Sequence, residues 1–208
     1  MWSTNWIYKY RISIFKELLP KNIVIVEGGD DKIIFSHVLS KICPSFFCTI
    51  KSAGGASKIY SIASILLNED LKSIFLLDDD KEGKDAKKDI ISKLKNGYNK
   101  DNVFTLKDLI PTLPDNSTLE DLLPIKFIKD FFDNEMGHEF EFDNLKPIIF
   151  QIKNQDENLK NNKEQLMSKK IKLSEKFISE FDNKQKLEEN TPLLVSLVNA
   201  FVNKIQNN

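Results

Sequence analysis

The sequence predicts an α/β fold, with a central, mostly parallel sheet flanked by helices and a helical C-terminal extension. Three observations lead there. Across 22–107, short apolar runs alternate with helix-patterned stretches of about a dozen residues, the pattern of right-handed βαβ crossovers. Runs such as Asn22–Val26 (NIVIV) are continuously apolar, as a strand buried on both faces must be. Beyond residue 125 the chain turns rich in Lys, Asn and Glu with helical spacing.

The elements follow in order. Residues 1–20 are aromatic-rich and end at Pro20, and the helical spacing of Trp6, Tyr10, Ile14 and Leu18 predicts a short docking helix. After the strand Asn22–Val26, residues 31–42 place Ile34, Val38 and Ile42 on one helical face. Phe46–Ile50 reads as the second strand and Ser57–Leu67 as the second helix, entered through a Gly54-Gly55 turn. Ser73–Leu77 is the third strand, Lys84–Leu94 the third helix and Val103–Leu106 the fourth strand. Pro111, Pro114 and Asp115-Asn116-Ser117 mark a loop, then a short helix runs from Thr118 or Leu119 to Leu123. Beyond it only 148–152 could extend as a strand. The expected organisation is a docking segment at 1–20, a core at 21–115 and a mainly helical extension at 116–208.

Composition narrows the function classes. A 41% hydrophobic chain with 15 Phe can build a core, which excludes wholesale disorder. No apolar stretch is long enough for a membrane span. The opening MWSTNWIYKYRISIF lacks the layout of a secretory signal, so a cytoplasmic protein is expected. Cys43 and Cys48 are too few for a disulfide framework, and only His37 and His138 could join them at zinc. They read as half-buried free thiols. With 30 basic against 31 acidic residues, net charge does not announce a nucleic-acid binder, although local patches can.

Chemistry concentrates where strands end in acid. The first strand runs into Glu27-Gly28-Gly29-Asp30-Asp31 and the third into Asp78-Asp79-Asp80-Lys81-Glu82-Gly83. In a parallel sheet functional groups gather beyond the carboxyl ends of strands, so these acids share one rim. Like charges so close repel unless a cation neutralises them, and hard oxygen donors suit Mg²⁺ or Mn²⁺. Asp78 and Asp80 face the same way along an extended run, whereas Asp79 points to the other side. Glu27 and Asp31 match one helical face. Taken singly, Asp31, Asp79 or Asp85 reads better as a helix-start charge, whereas Glu27 with Asp78 and Asp80 together does not.

These residues also carry a family resemblance. Val26-Glu27-Gly28 with Asp31, and Asp78-x-Asp80-x-x-Gly83 about fifty residues later, resemble the two signatures of the Toprim domain. That Rossmann-like domain is shared by topoisomerases, bacterial primases, RNA-maturation nucleases and the OLD-family nucleases. The resemblance covers about residues 22–107. The segment Thr118–Pro124 (TLEDLLP) is similar to an acidic segment of OLD-type nucleases, where Glu120 matches a glutamate that adds a metal contact. Lys169–Lys176 resembles their lysine-bearing helix, with Lys170 as the matched position. Glu120 could also be a helix-start acid, and Lys170 part of a solvated basic face.

The resemblance implies a divalent-metal-dependent endonuclease that hydrolyses phosphodiester bonds of DNA or RNA. Glu27, Asp78, Asp80 and Lys170 would be catalytic. Glu27 and Asp31 would hold one Mg²⁺ or Mn²⁺, with Asp78, Asp80 and Glu120 sharing a second. In single-ion Toprim enzymes the residue matched by Glu27 acts instead as general acid or base. OLD proteins usually carry an ABC-type ATPase on the same polypeptide, but no G-x-x-x-x-G-K-[ST] loop occurs here. A separate ATPase subunit, and a part in anti-phage defence, follow from that analogy. A homo-oligomer is equally admissible.

Cations bracket the expected rim. Residues 81–100 hold seven lysines against three acids, and Lys163, Lys169, Lys170, Lys172 and Lys176 follow in the extension. Lys81, Lys84, Lys87, Lys88, Lys169 and Lys172 are the expected phosphate-tracking residues, with a solvated helix face as the alternative for each patch. Other functions fit less well. A topoisomerase needs a nucleophilic Tyr from a separate domain, and a primase wants a zinc module. An RNA- or tRNA-cleaving toxin shares the same chemistry. A non-catalytic Toprim scaffold that binds nucleic acid or an ATPase leaves the clustered acids unexplained.

Overall fold

The computed structural model describes residues 22–69, 71 and 73–206, so the expected docking helix lies outside the described residues. Four parallel strands form one sheet: β1 (Ile23–Val26), β2 (Thr49–Ser52), β3 (Ser73–Leu77) and β4 (Val103–Thr105), in the order β2-β1-β3-β4. Helices α1 (Gly29–Ile42), α2 (Ala56–Asn68) and α3 (Lys81–Lys93) make the crossovers. After β4 come α4 (Leu106–Leu109), a 3₁₀ turn (Leu119–Leu122) and six further helices. These are α5 (Ile125–Met136), α6 (Ile148–Gln155), α7 (Glu157–Asn161), α8 (Lys163–Glu180), α9 (Lys184–Asn190) and α10 (Pro192–Gln206).

Alternation along the strands builds the core in two layers. Val24, Val26, Leu76 and Phe104 point to one face, where α1 and the C-terminal helices cover them. Ile23, Ile25, Phe75, Leu77 and Val103 point to the other, under α2 and α3. The chain steps from β1 outward to β2, then returns to the far side of β1 for β3. That reversal makes the gap between the carboxyl ends of β1 and β3 the topological switch point of the sheet.

Three expectations are corrected. The second strand is Thr49–Ser52, not Phe46–Ile50. Phe47 is 81% exposed, and the register Ile23↔Thr49 to Val26↔Ser52 is set by pairing with β1 rather than by the densest apolar run. Residues 148–152 are not a strand but the start of α6, which begins directly after Pro147. A short apolar run fits either state, and here Ile148, Ile149 and Ile152 are buried from a helix. The third helix starts at Lys81, earlier than expected, because the Asp80 carboxylate accepts the Gly83 N–H at 2.8 Å and caps it. Both cysteines are free, and burial pushes the Cys48 thiol up to about 11. No described helix is long and apolar enough to cross a membrane.

The C-terminal helices share the core of the sheet. Phe201 of α10 is fully buried, with ring centroids 5.2 Å from Phe35 of α1 and 6.5 Å from Phe104 of β4, both edge-on. Phe201→Ala is therefore expected to destabilise the whole α/β unit by about 3–5 kcal/mol. Urea unfolding followed by circular dichroism checks this, and a loss confined to C-terminal helical signal would contradict it.

Candidate functional site

At the switch point the sequence places its acids and the fold aims them inward. Glu27 ends β1, and its backbone is fixed from the β2 side. The N–H groups of Gly54 and Gly55 both donate to the Glu27 carbonyl, at 3.0 and 2.9 Å. That turn needs φ of +75° at Gly54 and +116° at Gly55, which explains the glycine pair. The Glu27 side chain crosses to β3, where its Oε1 accepts the Asp78 N–H at 3.1 Å. Gly83 backs this contact. A Cβ there would overlap the Asp78 carbonyl oxygen and lie 2.7 Å from Glu27 Oε1.

Asp31 enters from the first turn of α1, with Oδ2 accepting the Gly28 N–H at 2.7 Å. Its Oδ1 is buried and has no hydrogen-bond partner among the described residues. Asp79 turns away, as alternation requires. It is buried, pairs with Lys84 at 2.8 Å and accepts the Asn116 N–H.

Among the described residues, the ammonium paired within the cluster comes from α8. Lys170 Nζ lies 2.8 Å from Asp30 Oδ2 and 3.0 Å from Glu120 Oε1, with 16% of its side chain exposed. Glu120 stands one step behind the rim. The Thr118 hydroxyl donates to its other oxygen at 2.6 Å, and the residue is 2% exposed. Asp121 accepts the N–H groups of Thr118 and Ile148, both at 2.7 Å, which ties the 3₁₀ turn to the start of α6.

One cation does not balance this many anions. Burial foremost, then Asp80 and Asp31, push the Glu27 carboxyl up to about 8, against the Asp78 N–H and Lys170. Burial and then Asp30 raise Asp31 to about 7. Asp78 is raised well above the carboxylate range, by burial first and Asp31 next. Burial works to lower Lys170, but Glu120, Asp30, Asp31 and Asp78 outweigh it and hold the ammonium charged. Carboxylates so disfavoured as anions would be stabilised by more positive charge than Lys170 alone supplies.

A cleft of about 360 Å³ opens over these groups. Glu27, Asp30, Asp31, Asp78, Asp80 and Glu82 line one side, with Gly55 and Ala56 at the mouth of α2. The lining also takes Lys153, Lys160, Lys163, Met167 and Lys170 from α6, α7 and α8. Of the lysines expected to track phosphate, Lys84 pairs with Asp79, Lys87 with Asp108, and Lys169 and Lys172 with Glu135. Lys81 and Lys88 are exposed on α3. None of these six lines the cleft.

Sequence reasoning missed Lys153 and Lys160. It also did not place Lys163 and Met167 on the cleft, although a signal existed. Positions 163, 167 and 170 share one face of α8, so anchoring the helix on Lys170 recovers both.

Comparison with protein-family models, with curated proteins and with solved structures finds no match for this chain. The chemistry of the site therefore carries the functional argument. Among the described residues, no three His, Cys, Asp or Glu groups stand in ready-made coordination positions. The donors nonetheless suit a hard divalent cation. They are all carboxylate oxygens, they carry uncompensated charge, and Asp31 Oδ1 is a buried acceptor without a donor. Glu27, Asp31, Asp78 and Asp80 are the residues that would hold it.

Two outcomes are expected. Glu27 and Asp31 have folded values above their ordinary 4.5 and 3.8, so the native state holds protons that the unfolded chain has lost. Stability in EDTA should thus fall as pH rises from about 4 to about 8, and Mg²⁺ should restore it most at the upper end. Thermal unfolding across that range checks it, and stability rising with pH would contradict the account. Gly83→Ala is expected to cost about 1–3 kcal/mol, because the methyl must displace the Asp78 backbone. A chemical denaturation midpoint unchanged from wild type would show that the contact is slack.

Proposed function

We propose that the chain is a Mg²⁺- or Mn²⁺-dependent endonuclease that hydrolyses phosphodiester bonds. The observation that carries this reading is the convergence of Glu27, Asp78 and Asp80 with Asp31 on one cleft, faced by the Lys170 ammonium. Two short acidic signatures about fifty residues apart meet across a hydrogen bond at a strand switch point. That is the arrangement the resemblance to Toprim nucleases implies.

The reaction places a water oxygen on phosphorus and breaks the bond to the leaving sugar oxygen, which takes up a proton. A bound divalent cation supplies Lewis acidity toward the phosphate oxygens and the water. Glu27, Asp31, Asp78 and Asp80 would hold that ion, with Glu120 paired to Lys170 behind them. Lys170 sets a fixed positive charge where negative charge develops, in a recess whose low dielectric strengthens it. The Asp78 N–H holds Glu27 in orientation, so the carboxylate needs little rearrangement.

By the same resemblance, the partners are nucleic acid and a separate ABC-type ATPase subunit, with phage defence as the setting and the cytoplasm as the place. The toxin reading differs only in taking tRNA or other RNA as substrate.

The test is incubation of purified protein with plasmid, linear DNA and total tRNA, in Mn²⁺ and in EDTA, beside Glu27→Gln and Lys170→Ala. Cleavage in Mn²⁺ that is abolished by EDTA and falls at least about 100-fold in either variant is the expected result. Cleavage persisting in EDTA or in Glu27→Gln would overturn the mechanism. Binding of Mn²⁺ and nucleic acid without any cleavage would favour the non-catalytic scaffold.

A further inference from the structure

Among the described residues, the lysines that line the cleft without an ion pair all come from the C-terminal helices. Lys84, Lys87, Lys169 and Lys172 already stand in ion pairs with Asp79, Asp108 and Glu135. Lys170 is shared between Asp30 and Glu120. Lys153, Lys160 and Lys163 line the cleft, are exposed, and have no ion pair or side-chain hydrogen bond among the described residues. They arise from three successive helices, α6, α7 and α8, that pack on one another. The same lining includes the 44%-exposed Met167, over the buried Ile149, Leu159 and Leu166.

Three exposed ammonium groups that line the same cleft as six carboxylates, with no ion-pair partner among the described residues, are available to a ligand rather than spent on the fold. A ligand that repeats its negative charge suits them best, because the three lysines come from three successive helices rather than from one turn. It must also tolerate apolar contact between its charges, as sugars and bases do.

We infer that Lys153, Lys160 and Lys163 form the nucleic-acid-binding wall of the cleft, gripping phosphates that flank the one presented to Glu27, Asp78 and Lys170. This rests on the nuclease reading and assigns its strand-binding surface to α6–α8 instead of α3. The lysines act by position and charge, and none touches the reacting phosphate.

The experiment measures binding of short fluorescein-labelled DNA (single strand and duplex) and an RNA stem by anisotropy in Ca²⁺, over a salt series. The proteins compared are full-length wild type, the triple variant Lys153→Gln/Lys160→Gln/Lys163→Gln, and a control, Lys87→Gln/Lys169→Gln/Lys172→Gln. The cleft variant should reduce the slope of log K against log salt by about 2–3 for the preferred probe, and weaken binding at 0.1 M salt on the order of 100-fold. The control should stay near wild type, and melting temperatures should confirm that both variants fold. Equal losses in both variants, or wild-type affinity and slope in the cleft variant, would overturn this assignment while leaving the nuclease reading standing. Failure of wild type to bind any probe, together with no cleavage in Mn²⁺, would sink both.

Discussion

The parallel pairing of β1 with β3 is the constraint on which the rest depends. Register Val26↔Leu76 brings the two strands to their carboxyl ends together. Glu27 then has one place to go, across to the Asp78 N–H. Because the chain reverses direction of travel across the sheet at this pair, no crossover helix covers the gap, and the cleft forms there by topology. The apolar sheet positions its charged end and does not dilute it.

The cluster is a cost to the fold. Buried carboxylates next to one another are among the least favourable arrangements a core can hold, and a single lysine offsets only part of the repulsion. A sequence selected for stability alone would place apolar groups at Asp31 and Asp78. Local conflict of this kind, in a chain otherwise consistent from strand pattern to aromatic packing, marks a place shaped by what it binds. The C-terminal helices fit the same logic. They bury Phe177, Phe181 and Phe201 in the layer over α1 and the sheet, and from that anchorage they bring Lys153, Lys160, Lys163 and Lys170 to the cleft that holds the carboxylates.

Much of this was legible in the sequence. Ser73–Leu77 is a strand because five apolar or small residues precede an acidic turn, and its bounds match the structure. The opposite facing of Asp79 follows from two-residue alternation alone. Lys170 was placed by resemblance, and the structure brings it within ion-pair distance of Asp30 and Glu120. What was not legible depended on tertiary pairing. The edge strand β2 took its position from β1, so the conspicuous Phe46-Phe47 misled. The run at 148–152 became helical because its apolar side chains meet the C-terminal helical layer of the core, and no strand neighbours it. The roles of individual lysines could not be read from charge density, since pairing with Asp79, Asp108 and Glu135 is a fact of folding.

The central claim is that acids from two distant strand ends jointly bind one class of hard cation. Anomalous scattering from crystals soaked in Mn²⁺ measures it most directly. The account predicts a Mn²⁺ peak bounded by the carboxylates of Glu27, Asp31, Asp78 and Asp80, absent in crystals of Asp78→Asn. A wild-type map with no such peak at saturating Mn²⁺, or with Mn²⁺ bound only at the molecular surface, would contradict it.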